Sequence, residues 1–251
     1  VLRFVIFVFG TASLWAARNR EQAHLDHLLS LKEGGSGGSV EFHNFQDELS
    51  KSFESDHFEF FYDTQGMHAI NGADLDNNGS PDYLEVMASA FETSWSYYFV
   101  KNSYPLPRWL GNKYPIFVRN LEDGIYGYMG RYGGEGDHPS TPEIETTSSR
   151  SYIVMRNRYD ASFGNQNEAI EVTAGHEFFH AIQAAYSLDL DLWFLEGSAT
   201  MMESQVFPHW QDNYQYLFAW FEYSDFSLDF PDSRRDQLVD RVYGSWVVFE
   251  F

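Results

Sequence analysis

The chain has no cysteine. Disulfides, thiolate metal sites and cysteine nucleophiles are therefore excluded, and a transition metal would have to be held by histidine and carboxylate. Positive charge is scarce too: 16 Lys and Arg stand against 37 Asp and Glu, a formal net charge of −21. That balance argues against nucleic acid and anionic membrane as partners. No apolar run is long enough to span a bilayer comfortably. The nearest is Val1 to Gly10, a short basic-then-apolar stretch followed by small residues and Ala16-Ala17. It reads as a signal peptide over 1–17, which predicts a secreted chain with no stable membrane insertion once mature. The missing initiator Met predicts a true start slightly upstream. Val239 to Phe251 is apolar and ends without a cap, which predicts a domain incomplete at its C-terminus. What is present is 43% hydrophobic and 18% aromatic, sufficient for one sizeable core.

Proline is also absent from Asn167 to Tyr186, where Gly175 is the only glycine. Ile170, Ala174, Phe178, Ala181 and Ile182 recur there at helical spacing, predicting a mostly buried amphipathic helix. Asn165 or Asn167 can cap it, with Glu168 and Glu171 in the first turn, where the helix dipole favours acids. The helix carries His176-Glu177-Phe178-Phe179-His180. Four residues apart, the two histidines stack on one face and can hold one zinc ion, with Glu177 within reach of a water on the metal. The bland alternative is a pair of core histidines satisfied by backbone or carboxylates, since buried imidazoles need partners in any case.

A catalytic zinc site needs a third protein ligand. Asp191 to Glu203 is a second helix-compatible run, reached through a short loop from Ser187. Glu196 and Glu203 are two turns apart and point to one side. One can bind zinc while the other accepts the Nδ1–H of a ligating histidine. With Trp193, Glu196, Gly197, Ala199 and Glu203 following His-Glu-x-x-His, the chain resembles the gluzincin metallopeptidases. His176 to Gln183, together with the acidic loop near residue 80, is similar to a set of secreted bacterial metalloproteases. The resemblance covers roughly 54–250 and is strong around 172–204. It implies Glu196 as third ligand, Glu203 in support, and Glu177 as general base and acid in peptide hydrolysis. The chain departs from the thermolysin pattern at Thr200, where that pattern has an acid, and in the short gap of 15 residues between His180 and Glu196. Such sites also need a group to stabilise the oxyanion. Candidates are His209, Tyr214, Tyr216, Tyr223 and Tyr243, with Tyr243 preferred.

A second metal loop is written in Asp74-Leu75-Asp76-Asn77-Asn78-Gly79-Ser80-Pro81-Asp82-Tyr83-Leu84-Glu85. Asp74, Asp76, Asn78, Ser80 (by its backbone), Asp82 and Glu85 supply the oxygens of a calcium loop, and Gly79 the sharp turn. A helix follows, with Leu84, Val86, Met87, Ala90, Phe91 and Trp95 in phase. None precedes it, and Pro81 removes the donor that paired EF-hands share, so a lone loop clamping a helix start is expected. The plain alternative is a solvated Asp/Asn-rich turn.

The remaining chain divides readily. Asn19 to Lys32 predicts a short amphipathic helix and Gly34 to Ser39 a flexible linker, so 18–50 is expected to be a propeptide or spacer ahead of a domain at 51–251. His57–Tyr62, Tyr114–Arg119 and Ser151–Met155 read as strands. The glycine-rich stretch from Tyr126 to Asp137 reads as a surface loop. An N-terminal mixed sheet with C-terminal helices makes an α+β domain. In gluzincins, which the chain resembles, an edge strand above the zinc helix pairs with extended substrate, and Ser151–Met155 is the strand expected there. The expectation is a secreted zinc metallopeptidase acting on a peptide or protein substrate. Its rivals are a non-catalytic calcium- or zinc-stabilised extracellular binding module, and a zinc hydrolase acting on an ester or non-peptide amide.

Overall fold

The computed structural model describes residues 37–121, 124–133, 136–159, 165–187, 189–228 and 235–250. The expected signal peptide and the helix at 19–32 lie outside them. The fold is mixed α+β around a five-stranded sheet in the order β1-β2-β3-β5-β4. The strands are β1 (Lys51–Glu54), β2 (Phe58–Tyr62), β3 (Tyr114–Arg119), β4 (Gly127–Arg131) and β5 (Ser151–Arg156). The β2–β3 and β3–β5 pairs are parallel, while β1 and β4 join antiparallel.

Alternation along the strands sends side chains to both faces, and both are covered. Phe58, Phe60, Ile116, Val118, Ile153 and Met155 face the main core. Two helices close that side: α2 (Asp82–Trp95), which runs on into a π-helical turn at Ser96–Lys101, and α3 (Gln166–Tyr186). Phe178 of α3 packs edge-on against Phe58 and Tyr114. On the opposite face Phe117, Tyr152 and Val154 meet Phe42, Phe45 and Leu49, carried on or just after α1 (Gly37–Glu48). Phe42 stacks on Tyr132 at 4.0 Å.

Three expectations are corrected. The linker at Gly34–Ser39 does not extend through its second half, because Gly37 to Ser39 form the first turn of α1, held by the apolar residues that follow them. The loop expected at Tyr126–Asp137 contains β4. Its glycines serve close approach: a Cβ on Gly127 would lie 2.8 Å from Thr173 of α3, and one on Gly130 would strike the Tyr152 ring at 2.2 Å. Ser151–Met155 is not an edge strand, since β5 lies between β3 and β4.

The C-terminal third is helical: α4 (Leu192–Val206), a 3-10 turn at Asp212–Tyr216, α5 (Leu217–Glu222), α6 (Arg235–Gly244) and α7 (Val247–Glu250). A Cβ on Gly197 would fall 2.0 Å from Ser245 Oγ and 3.0 Å from the Ser245 carbonyl carbon, so α4 seats directly on the α6–α7 corner. No helix among the described residues is long and apolar enough to cross a membrane.

Candidate metal centre

Helix α3 is the scaffold. Of the two possible caps, Asn165 serves, its side chain accepting from the Asn167 amide at 3.0 Å. From Val172 to Ala185 every residue is buried, with the sheet and α2 on one side and α4 on another. Tyr98, in the π-helical turn, donates to the Gly175 carbonyl at 2.8 Å and anchors the helix one residue before the first histidine.

His176, His180 and Glu196 come together with potential ligand atoms within 4.8 Å of one another. The two Nε2 atoms are 3.0 Å apart. Glu196 Oε2 lies 3.2 Å from His176 Nε2, and Oε1 lies 3.4 Å from His180 Nε2. Bonds of zinc to nitrogen and oxygen make a tetrahedral edge of about 3.4 Å, so these spacings fit three corners around one ion.

Protonation strengthens the fit. His176 Nδ1 faces Glu203 Oε1 at 2.6 Å, and His180 Nδ1 faces Gln183 Oε1 at 2.6 Å. The Gln183 amide is oriented by donating to Leu195 O at 3.0 Å and to Ser198 Oγ at 2.9 Å, so its oxygen must be the atom turned to His180. Both Nδ1 atoms are thus donors. In neutral rings both Nε2 atoms are then lone pairs, and with the Glu196 carboxylate they make three acceptors converging in a buried space. Such a set calls for a cation, either a metal or a proton. Burial lowers the His176 pKa, but hydrogen bonds and charge from Glu196 and Glu203 overcome it and hold the ring well above the ordinary histidine value. Burial pushes the Glu203 carboxyl up to about 7, against the pull of His176.

The other sequence candidates separate. Glu177 is 3% exposed beside His176 on α3. Tyr243, on α6, brings its ring to 6.0 Å from His176 and stacks on Tyr216 at 5.1 Å. Tyr214 is half exposed and stacks on Trp246, Tyr223 packs against Phe226, and His209 is bound to Glu171 at 2.8 Å. Thr200, at the place of the acid in the thermolysin pattern, is fully buried. Gln183 was missed by sequence reasoning. Its signal was position alone, since three residues after His180 it shares that ligand's face.

The acidic loop runs directly into α2, which begins at Asp82. Oxygens of Asp74, Asp76 and Asp82 gather in one cluster. Asn78 N–H donates to Asp74 at 3.1 Å, Gly79 N–H to Asp74 at 2.9 Å, and the Asn78 amide to Glu85 at 2.6 Å. Ser80 N–H caps the Asn78 side chain at 2.9 Å, and Leu75 N–H reaches Asp82 at 3.1 Å. Gly79 takes φ +94°, the left-handed conformation that favours glycine.

No protein-family model, curated protein or solved structure matches this chain.

Proposed function

We propose that the chain is a secreted zinc metallopeptidase with a gluzincin-like site. The observation that carries this reading is the convergence of two Nε2 atoms and one carboxylate at 3.0–3.4 Å, each histidine being tied down through its other nitrogen. His176, His180 and Glu196 would hold the ion. When bound, zinc supplies Lewis acidity that polarises a carbonyl and acidifies water. Glu177 takes the proton of the attacking water and passes it to the leaving amine. Tyr243, whose ring lies 6.0 Å from that of His176, would donate to the developing oxyanion. Calcium in the Asp74–Glu85 loop would clamp the entry to α2.

The second reading is a metal-stabilised extracellular binding module without turnover. Burial favours it: His176 is 6% exposed, Glu177 3%, His180 1% and Glu196 0%. One experiment separates the two readings. Zinc content is measured on the purified chain beside His180→Ala, and peptide cleavage on the chain beside Glu177→Gln. About one zinc per chain, lost in His180→Ala, with cleavage that falls at least ~100-fold in zinc-loaded Glu177→Gln, supports the peptidase. Zinc without cleavage supports the module, and a folded chain that takes up no zinc defeats the peptidase and leaves a module stabilised by calcium alone.

A further inference from the structure

Gln183 touches both halves of the metal centre, yet no ligand role accounts for it. Its oxygen accepts from His180 Nδ1 at 2.6 Å, while its amide donates across to α4, to Leu195 O at 3.0 Å and Ser198 Oγ at 2.9 Å. Those two partners bracket Glu196, one residue before it and two after. Ser198 Oγ in turn donates to Phe194 O at 2.6 Å, which leaves it an acceptor toward Gln183 and fixes the direction of every bond in the chain. The side chain is 6% exposed, so water does not compete for these bonds.

We propose that Gln183 is the positioning residue that registers the two helices of the metal centre. One amide sets the tautomer and ring angle of His180 on α3 and locks the turn of α4 on which Glu196 stands. This rests on the metal-centre reading above. The choice of glutamine has a physical reason. A carboxylate could accept from His180 but could not donate to two oxygens on α4. It would also add charge to a buried space that already holds Glu177, Glu196 and Glu203. His176 differs in this respect, being oriented by the carboxylate of Glu203.

The test compares the chain with Gln183→Leu, which removes both functions, and Gln183→Glu, which keeps only the acceptor for His180. Zinc affinity is read by competition with a chelator, ligand geometry by the visible spectrum of the cobalt(II)-substituted chain, and scaffold integrity by thermal unfolding without metal. Gln183→Leu should weaken zinc binding about 10–100-fold and change the cobalt spectrum, with Gln183→Glu between it and the parent. Parent-like affinity and spectrum in Gln183→Leu would overturn the proposal. So would an equal loss in both variants that follows the fall in metal-free stability, since that marks packing alone. Should Gln183→Leu not fold, Gln183→Glu decides: weakened affinity with an altered spectrum supports the proposal, and parent-like values refute it. A parent chain that binds no zinc removes the metal-centre reading itself, a result distinct from either variant outcome.

Discussion

Glu196 is fully buried with its carboxylate against both imidazole Nε2 atoms, whereas Glu203 meets only the far nitrogen of His176. The sequence left the two glutamates equivalent in facing, and resemblance alone ranked them. Geometry now separates their positions. Glu196→Ala should strip zinc, while Glu203→Ala should weaken binding by only about 10–100-fold in a competition titration; the reverse order would exchange their roles. Gly197 beside them is steric in purpose. A methyl there meets Ser245, itself fully buried, so Gly197→Ala should cost about 1–3 kcal/mol by denaturant unfolding and shift the turn that carries Glu196. The convergence of the histidine pair with its glutamates was legible because helical spacing stacks each pair on one face. Gln183 was not, since a neutral amide in a helix has many uses and only a packed neighbour, here α4, reveals which one applies.

Elements were legible where one periodicity ruled. Helix α3 and strands β2, β3 and β5 stand close to where their apolar patterns place them. Strand β4 was hidden because Gly127 and Gly130, which let it press on Thr173 and Tyr152, are also the residues of loops. Helix α1 was hidden by Gly37 and Gly38, poor helix formers, although Phe42, Phe45 and Leu49 at i, i+3 and i+7 carried its signal. Strand β1 is short and largely exposed, with no alternation to read. The turn from β1 to β2 is fastened to α2 by Glu92, which accepts from Ser55 Oγ at 2.5 Å and from His57 N and Nδ1 at 2.8 and 2.6 Å. Partial burial raises the Glu92 pKa, but these hydrogen bonds outweigh it and leave the carboxyl below its ordinary 4.5. A carboxyl depressed by folding contributes stability above 4.5 and loses it as pH falls through the folded value. Glu92→Gln should therefore cost about 1 kcal/mol at pH 7 in thermal unfolding, and the gap from the parent should close as pH falls below 4.5. A gap constant with pH would assign the cost to shape, not charge.

For the whole molecule, two cation sites in a chain of net charge −21 would make metal a large share of its stability. At a hundred times its dissociation constant each ion contributes about 2.7 kcal/mol, which in a domain of this size raises the melting temperature by roughly 5–10 °C. Zinc and calcium should act separately: Asp74→Asn should abolish the rise with calcium and leave the rise with zinc, read by calorimetry. The burial of α3 adds a consequence in time. His180 is 1% exposed and its Nε2 faces Glu196 of α4 at 3.4 Å, so release of an ion held between them would be coupled to motion of the two helices. Zinc loss to excess chelator would then run at the protein's own rate of opening and become independent of chelator concentration. The stopwatch for the metal would be the motion of the polypeptide.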